Sequence, residues 1–280
     1  MKNWLSTTFT YFLVSLFPFI VVFTSSLYAP SDSDMGWHLA DGEYFFRTGT
    51  ILRENIFSSE MQNYLWVNHS WASDLLTYLT FSRFGFPGIS ILGALVITLI
   101  FYFFSKALRF SFWEKALLFP LLLYLEEPLF VVSFRSQLLS LLAIAIEYYL
   151  LIEFTRERKW VLFFLIPTFF LWANFHGGFI LGLGLLFVWS ILYLISSSFS
   201  SHSKEKIRRD RTILGFVCIS SFLATFVNPF GIKIYEESLR HFGNPLQKHI
   251  IEWLPLDRFS SIWWTMIILE GVFFITIWFL

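Results

Sequence analysis

The segment Ser31–Thr50, SDSDMGWHLADGEYFFRTGT, gathers Asp32, Asp34, Asp41, Glu43, His38 and Arg47 directly after an apolar run from Phe9 to Leu27. A carboxylate at the edge of hydrocarbon is shielded from bulk water, which raises its pKa and makes it a better general base. Asp32 and Asp34 lie nearest that run, with Trp37 and His38 one turn further on. Asp32, Asp34 and His38 are the candidates for catalysis, and Trp37 on the same turn adds to the local density that points to a site. The plainer reading is that the two aspartates cap a helix starting near Trp37, since acidic side chains favour a helix N-terminus.

Three further groups could bind a ligand. ANFHGG places Asn174 and His176 in a tight turn whose glycines, Gly177 and Gly178, act as the hinge. SFRSQ puts Arg135 at the start of an apolar run, where a guanidinium is costly and faces a partner or an anion unless it snorkels to head groups. Its fork suits phosphate. A late polar stretch carries NPFGIKIYEE, with Asn228 and Lys233, and HIIEWLP, with Glu252. Glu147 and Glu270 fall inside apolar runs, where a charge is a functional hypothesis by default. No strong metal signature is present. Asp32 and Asp34 together could share a divalent cation through their oxygens.

The elements that must hold these groups are set by composition. The 280-residue chain is 56% hydrophobic, 21% aromatic and 14% charged, with a mean hydropathy of +0.64. Soluble domains carry nearer one quarter charged residues. Long unbroken apolar runs, rather than short alternating ones, point to an all-α integral membrane protein. Net charge is zero, so no nucleic-acid footprint is expected. A single cysteine, Cys218, excludes a disulfide within the chain.

Runs of about 20 apolar residues are long enough to cross a bilayer. They predict eight transmembrane helices near 8–28, 88–105, 114–131, 136–154, 160–174, 178–197, 212–228 and 261–280. The first reads as a retained anchor rather than a cleaved signal peptide. With Lys2 inside, alternation puts the basic clusters 106–115, 156–159 and 204–211 on the same cytoplasmic side. The outer face then holds a long first loop, 29–87, and a last loop, 228–260, with most of the His, Asp and Glu. Within the first loop, Trp71–Gly85 and Gly42–Gly49 read as interfacial amphipathic helices.

In order along the chain come D-x-D-x-x-W-H-L-x-x-G from Asp32 to Gly42, N-I-F-S at Asn55–Ser58, and W-V-N-H-S-W at Trp66–Trp71. F-R-S-Q, W-A-N-F-H-G-G, N-P-F-G and I-E-W follow. This order resembles bacterial polytopic proteins of the GT-C glycosyltransferase superfamily, over most of the chain. The resemblance implies a single transmembrane GT-C-like domain over 1–280 in a bacterial plasma membrane. It implies transfer of a sugar, with inversion, from a polyprenyl-phosphate donor to a hydroxyl on a glycan, lipid or protein. A first-loop Asp would act as base. His69, Arg135, Asn174, His176, Asn228, Lys233 and Glu252 would contact substrate. Members tend to be longer, so a C-terminal part is expected to be absent here, and Gly36-Trp37 stands where relatives often show two tryptophans. A transporter or lipid flippase is one competing reading, kept by Glu147 and Glu270 but disfavoured by polar groups that cluster at helix ends rather than mid-membrane; a non-catalytic membrane scaffold is the other, and it predicts that Asp32, Asp34 and His176 could be lost without effect.

Overall fold

The computed structural model describes residues 2–59, 64–199, 203–241, 254 and 257–279. Among them every regular element is helical, apart from one isolated antiparallel bridge between Glu54 and Leu65. In chain order the helices are α1 (Lys2–Ser25), α2 (Met35–Thr48), α3 (Trp71–Leu108), α4 (Phe112–Leu125), α5 (Glu127–Phe130) and α6 (Ser136–Thr155). A 3-10 turn, Lys159–Phe164, leads into α7 (Leu165–Phe175), followed by α8 (Phe179–Phe199), α9 (Lys204–Ala224), α10 (Lys233–His241) and α11 (Ser261–Phe279).

Among the described residues three helices, α3, α6 and α8, are long and apolar enough to cross a membrane. The outward face of α8 shows why it wants lipid. Leu181, Leu185, Val188, Leu192 and Ile195 recur at helical spacing and are all exposed, a stripe that water would not tolerate. Helices occur at the other expected spans but differ in length. The run expected at 114–131 is divided into the 14-residue α4 and the 4-residue α5 at Glu126. Fourteen residues rise about 21 Å, short of roughly 30 Å of hydrocarbon.

The first loop also differs from expectation. The interfacial helix ending at Gly85 and the span after it form one 38-residue element, α3, whose path breaks only at Gly85 (φ 60°, ψ −157°) beside Pro87. That backbone conformation is open to glycine alone, and Pro87 supplies no N–H, so the axis turns while helix resumes on both sides. The helix expected over 42–49 begins earlier, at Met35, and stops where Gly49 takes a left-handed C-cap (φ 67°).

The core has two parts joined by α6. One packs α1, α3, α4 and α6 around Phe101, Phe119, Phe130 and Leu138. The other packs α6, α7, α8 and α9 around Phe154, Leu165, Phe169 and Val217. Because α6 is shared, Arg135 just before its first residue is placed at the centre of one end of the bundle.

Candidate functional site

That end holds a cavity of about 630 Å³ lined by residues from distant stretches, among them Asp34, Trp37, His38, Asp41, His69, Asp74, Arg135, His176 and Glu237. α2 lies across the start of α3 and roofs it. The crossing is close because Gly42 faces α3: a Cβ there would fall 2.2 Å from the Asp74 carbonyl oxygen. Trp37 and Phe57, edge to face at 5.7 Å, stand at the rim with Tyr64 and Trp66. Aromatic surface of this kind suits the apolar faces of a sugar or a prenyl chain.

An acid–amide–imidazole chain links α2 to α3. His38 Nδ1 lies 2.7 Å from Asp74 Oδ1. Asn68 Nδ2 donates to Asp74 Oδ2 at 2.6 Å and to Asp41 Oδ2 at 3.3 Å. The Asn68 carbonyl oxygen accepts from the Ser70 backbone N–H at 2.9 Å, which fixes the amide's orientation. Asp41 is buried beside Asp74, and burial first, the Asp74 charge second, push its pKa up to about 7, with His38 acting in the opposite sense. Burial works against charge on His38, but the Asp74 hydrogen bond and the charges of Asp74, Asp32 and Asp34 outweigh it, so its pKa is raised.

The two expected bases have separated. Asp32 is buried, with Oδ2 3.0 Å from Arg135 Nε. Asp34 Oδ2 is 3.6 Å from Arg135 Nη2, and its side chain is 56% exposed on the cavity. Asp34 does occupy the N-cap position of α2, yet its side chain makes no capping bond; its backbone N–H donates instead to Asp32 Oδ1 at 3.0 Å. The Asp34 side chain thus makes no cap and reaches toward Arg135, while the Asp32 carboxylate both accepts this N–H and pairs with Arg135. The group these two carboxylates face is the Arg135 guanidinium, 3.0 Å from Asp32 and 3.6 Å from Asp34. Among the described residues no group of three or more His, Cys, Asp or Glu is arranged to hold a metal ion.

His176 sits at the C-cap of α7. Its Nδ1 accepts from the Gly178 backbone N–H at 3.1 Å and from the Ser140 hydroxyl at 2.6 Å, while Ser140 Oγ accepts from Trp172 Nε1 at 2.6 Å. Burial, then the neighbouring His69, His38 and Arg135, push its pKa down to about 3. A neutral ring whose Nδ1 accepts twice carries its proton on Nε2, leaving a fixed N–H donor on the cavity-lining imidazole. The adjacent glycines are not hinges with left-handed backbones. They are there for space: a Cβ at Gly178 would fall 2.5 Å from Ser140 Oγ, and one at Gly177 3.0 Å from the His69 ring.

Of the residues expected to contact substrate, Asp34, Trp37, His38, His69, Arg135 and His176 line the cavity together. Asn174 does not face it. Its amide is consumed in the scaffold, accepting from Trp71 Nε1 at 3.0 Å and donating to the Phe170 and Val227 carbonyls. Asn228 is likewise spent on its own turn, bonding Thr225 O, Gly231 O and the Phe230 N–H. Lys233 is exposed at the start of α10 and is not on the cavity wall, where Glu237 of the same helix stands instead. Glu252 lies outside the described residues. Asp41, Asn68 and Asp74 are additions. The available signal was that Asp41 falls one helical turn after His38, on the same face.

The chemistry on offer is general-base catalysis by a solvated carboxylate, with a buried guanidinium and a neutral imidazole N–H as anion-stabilising donors. Compared with protein-family models, with curated proteins and with solved structures, the chain has no match.

Proposed function

We propose that the chain is a polytopic membrane glycosyltransferase of the GT-C kind, moving a sugar from a polyprenyl-phosphate donor to a hydroxyl acceptor with inversion. The observation that carries the reading is the single cavity that collects Asp34, Trp37, His38, His69, Arg135 and His176 at one end of the bundle. In this account Asp34 takes the acceptor's hydroxyl proton. The resulting oxygen bonds to the anomeric carbon from the face opposite the phosphate, and the bond from that carbon to the phosphate oxygen breaks. The departing lipid phosphate gains charge, which Arg135 and the His176 Nε2–H stabilise. Asp32 holds Arg135, and Trp37 with its aromatic neighbours walls the sugar. The acceptor is a hydroxyl of a glycan, lipid or protein.

The reading takes α4 and α5 together as one of eight crossings of a bacterial plasma membrane, with both ends inside and the cavity on the extracytoplasmic face. Its support is that the basic residues Lys106, Arg156 and Arg158 gather at the ends of α3 and α6 remote from Asp74 and Arg135. One feature favours a transporter instead. Glu147 in α6 is fully buried, and neither carboxyl oxygen has a hydrogen-bond partner among the described residues. The test is turnover. Purified protein in lipid nanodiscs is given a panel of polyprenyl-phosphate sugars with candidate acceptors, and polyprenyl phosphate release is followed. Release with any donor supports the transferase; donor-independent indifference across the panel, with solute flux in proteoliposomes, supports transport.

A further inference from the structure

The far end of α3 from the cavity carries a second built feature. A groove of about 560 Å³ runs between α1, α3 and α4. Its floor is Leu16 and Phe19 of α1 with Leu99 and Tyr102 of α3, and its mouth is ringed by Lys106, Arg109 and Lys115. Arg109 is the left-handed C-cap of α3 (φ 56°), and the turn it makes folds α4 back so that Lys115 faces the same space.

These cations are placed against their own interests. Among the described residues no carboxylate pairs with any of the three. Lys106 and Arg109 do sit at a helix C-terminus, where positive charge is welcome. Lys115 is in the first turn of α4, where the helix end is itself positive. The carboxylate nearest in sequence, Glu114, is committed to the capping box of that helix, accepting from the Ser111 N–H at 2.6 Å. Lys115 Nζ lies 5.4 Å from the centre of the Phe19 ring and Lys106 Nζ 5.5 Å from that of Tyr102. Aromatic faces thus hold both ammonium groups over the groove. Three like charges converge on a slot lined mainly by Leu16, Phe19, Leu99, Tyr102 and Phe110, with the hydroxyls of Ser15, Thr98 and Ser105 among them, whose flank, α3, is a candidate membrane span.

We propose that this groove binds one anionic glycerophospholipid, its head-group phosphate on Lys106, Arg109 and Lys115 and an acyl chain along Phe19, Leu16 and Leu99. Charge complementarity selects the head group, and the apolar floor selects a lipid over a free anion. The site is independent of the chemistry assigned to the cavity.

The test is native mass spectrometry of delipidated protein titrated with phosphatidylglycerol, phosphatidylcholine or inorganic phosphate. The expected result is one retained phosphatidylglycerol, with roughly hundredfold weaker retention in a Lys106→Ala, Arg109→Ala, Lys115→Ala variant. Lys106→Arg with Lys115→Arg should keep binding, as should a control that neutralises Lys204, Arg208 and Arg211. Equal retention of phosphatidylcholine, saturation by inorganic phosphate alone, or equal loss in the Lys204, Arg208 and Arg211 control would each overturn the proposal. So would unchanged binding in the triple variant.

Discussion

His38 of α2 and Asp74 of α3 are joined by a 2.7 Å ion-paired hydrogen bond between Nδ1 and Oδ1, and Asp74 is almost wholly buried. This contact locks the roof of the cavity to the bundle.

The pH dependence follows from the direction of two shifts. His38 has a raised pKa, so its pair with Asp74 contributes fully below the unfolded imidazole value near 6.5. The contribution declines as pH rises through the folded value. Asp41, raised to about 7, also makes stability fall with rising pH, between about 4 and 7, because the unfolded carboxyl ionises first. The thermal midpoint in nanodiscs should therefore drop between about pH 4 and pH 7, and drop further as pH rises through the folded value of His38. Asp41→Asn should flatten the acid half of that curve and raise the midpoint at pH 8, a gain of up to about 4 kcal/mol. His38→Gln should flatten the alkaline half.

Arg135 tests the buried pair. Arg135→Ala leaves Asp32 uncompensated and should destabilise the protein by about 3–5 kcal/mol. Arg135→Gln combined with Asp32→Asn removes both charges and should restore most of the thermal midpoint. Turnover should stay lost in the double variant, because the anion-stabilising guanidinium is gone. Recovery of activity with stability would remove Arg135 from the mechanism.

Close approach at Gly42 and Gly178 can be probed with one methyl group each. Gly42→Ala drives a Cβ into the Asp74 carbonyl, and overpacking of this kind costs about 1–3 kcal/mol. Gly178→Ala crowds Ser140 Oγ and His176 Nδ1, so it should disturb the His176 tautomer at a comparable cost in stability. The readouts are the thermal midpoint for the first, and for the second a loss of turnover larger than its drop in midpoint accounts for.

Glu147 separates enzyme from transporter. An isolated carboxylate in that position is costly to ionise, so Glu147→Gln should leave stability and polyprenyl phosphate release within about twofold. A transporter that moves protons through Glu147 would lose flux entirely in the same variant.

The helical membrane class and the clustering of polar groups at one end were legible because apolar runs and motif positions are local properties. Arg135 stood out alone, as a cation that hydrocarbon would not accept without a partner. The partner itself was not readable: that Asp32 is spent on Arg135 while Asp34 faces the cavity depends on how α6 meets the chain leaving α1. Asp41, Asn68 and Asp74 were hidden for the same reason, since Asn68 reaches an aspartate 27 residues away only after Gly42 lets α2 cross α3. Hydropathy also merges what geometry divides. It runs through the break at Glu126 and through the 3-10 turn at Lys159–Phe164, and so lengthens two spans.

The most direct test of the central claim is turnover by Asp34→Asn beside the wild type, with donor affinity measured on the same samples. The expected result is loss of at least a hundredfold in rate, the usual contribution of a positioned base, with donor affinity within about threefold and an unchanged thermal midpoint. Wild-type turnover that survives Asp34→Asn at full rate would contradict the account and move the base elsewhere in the cavity.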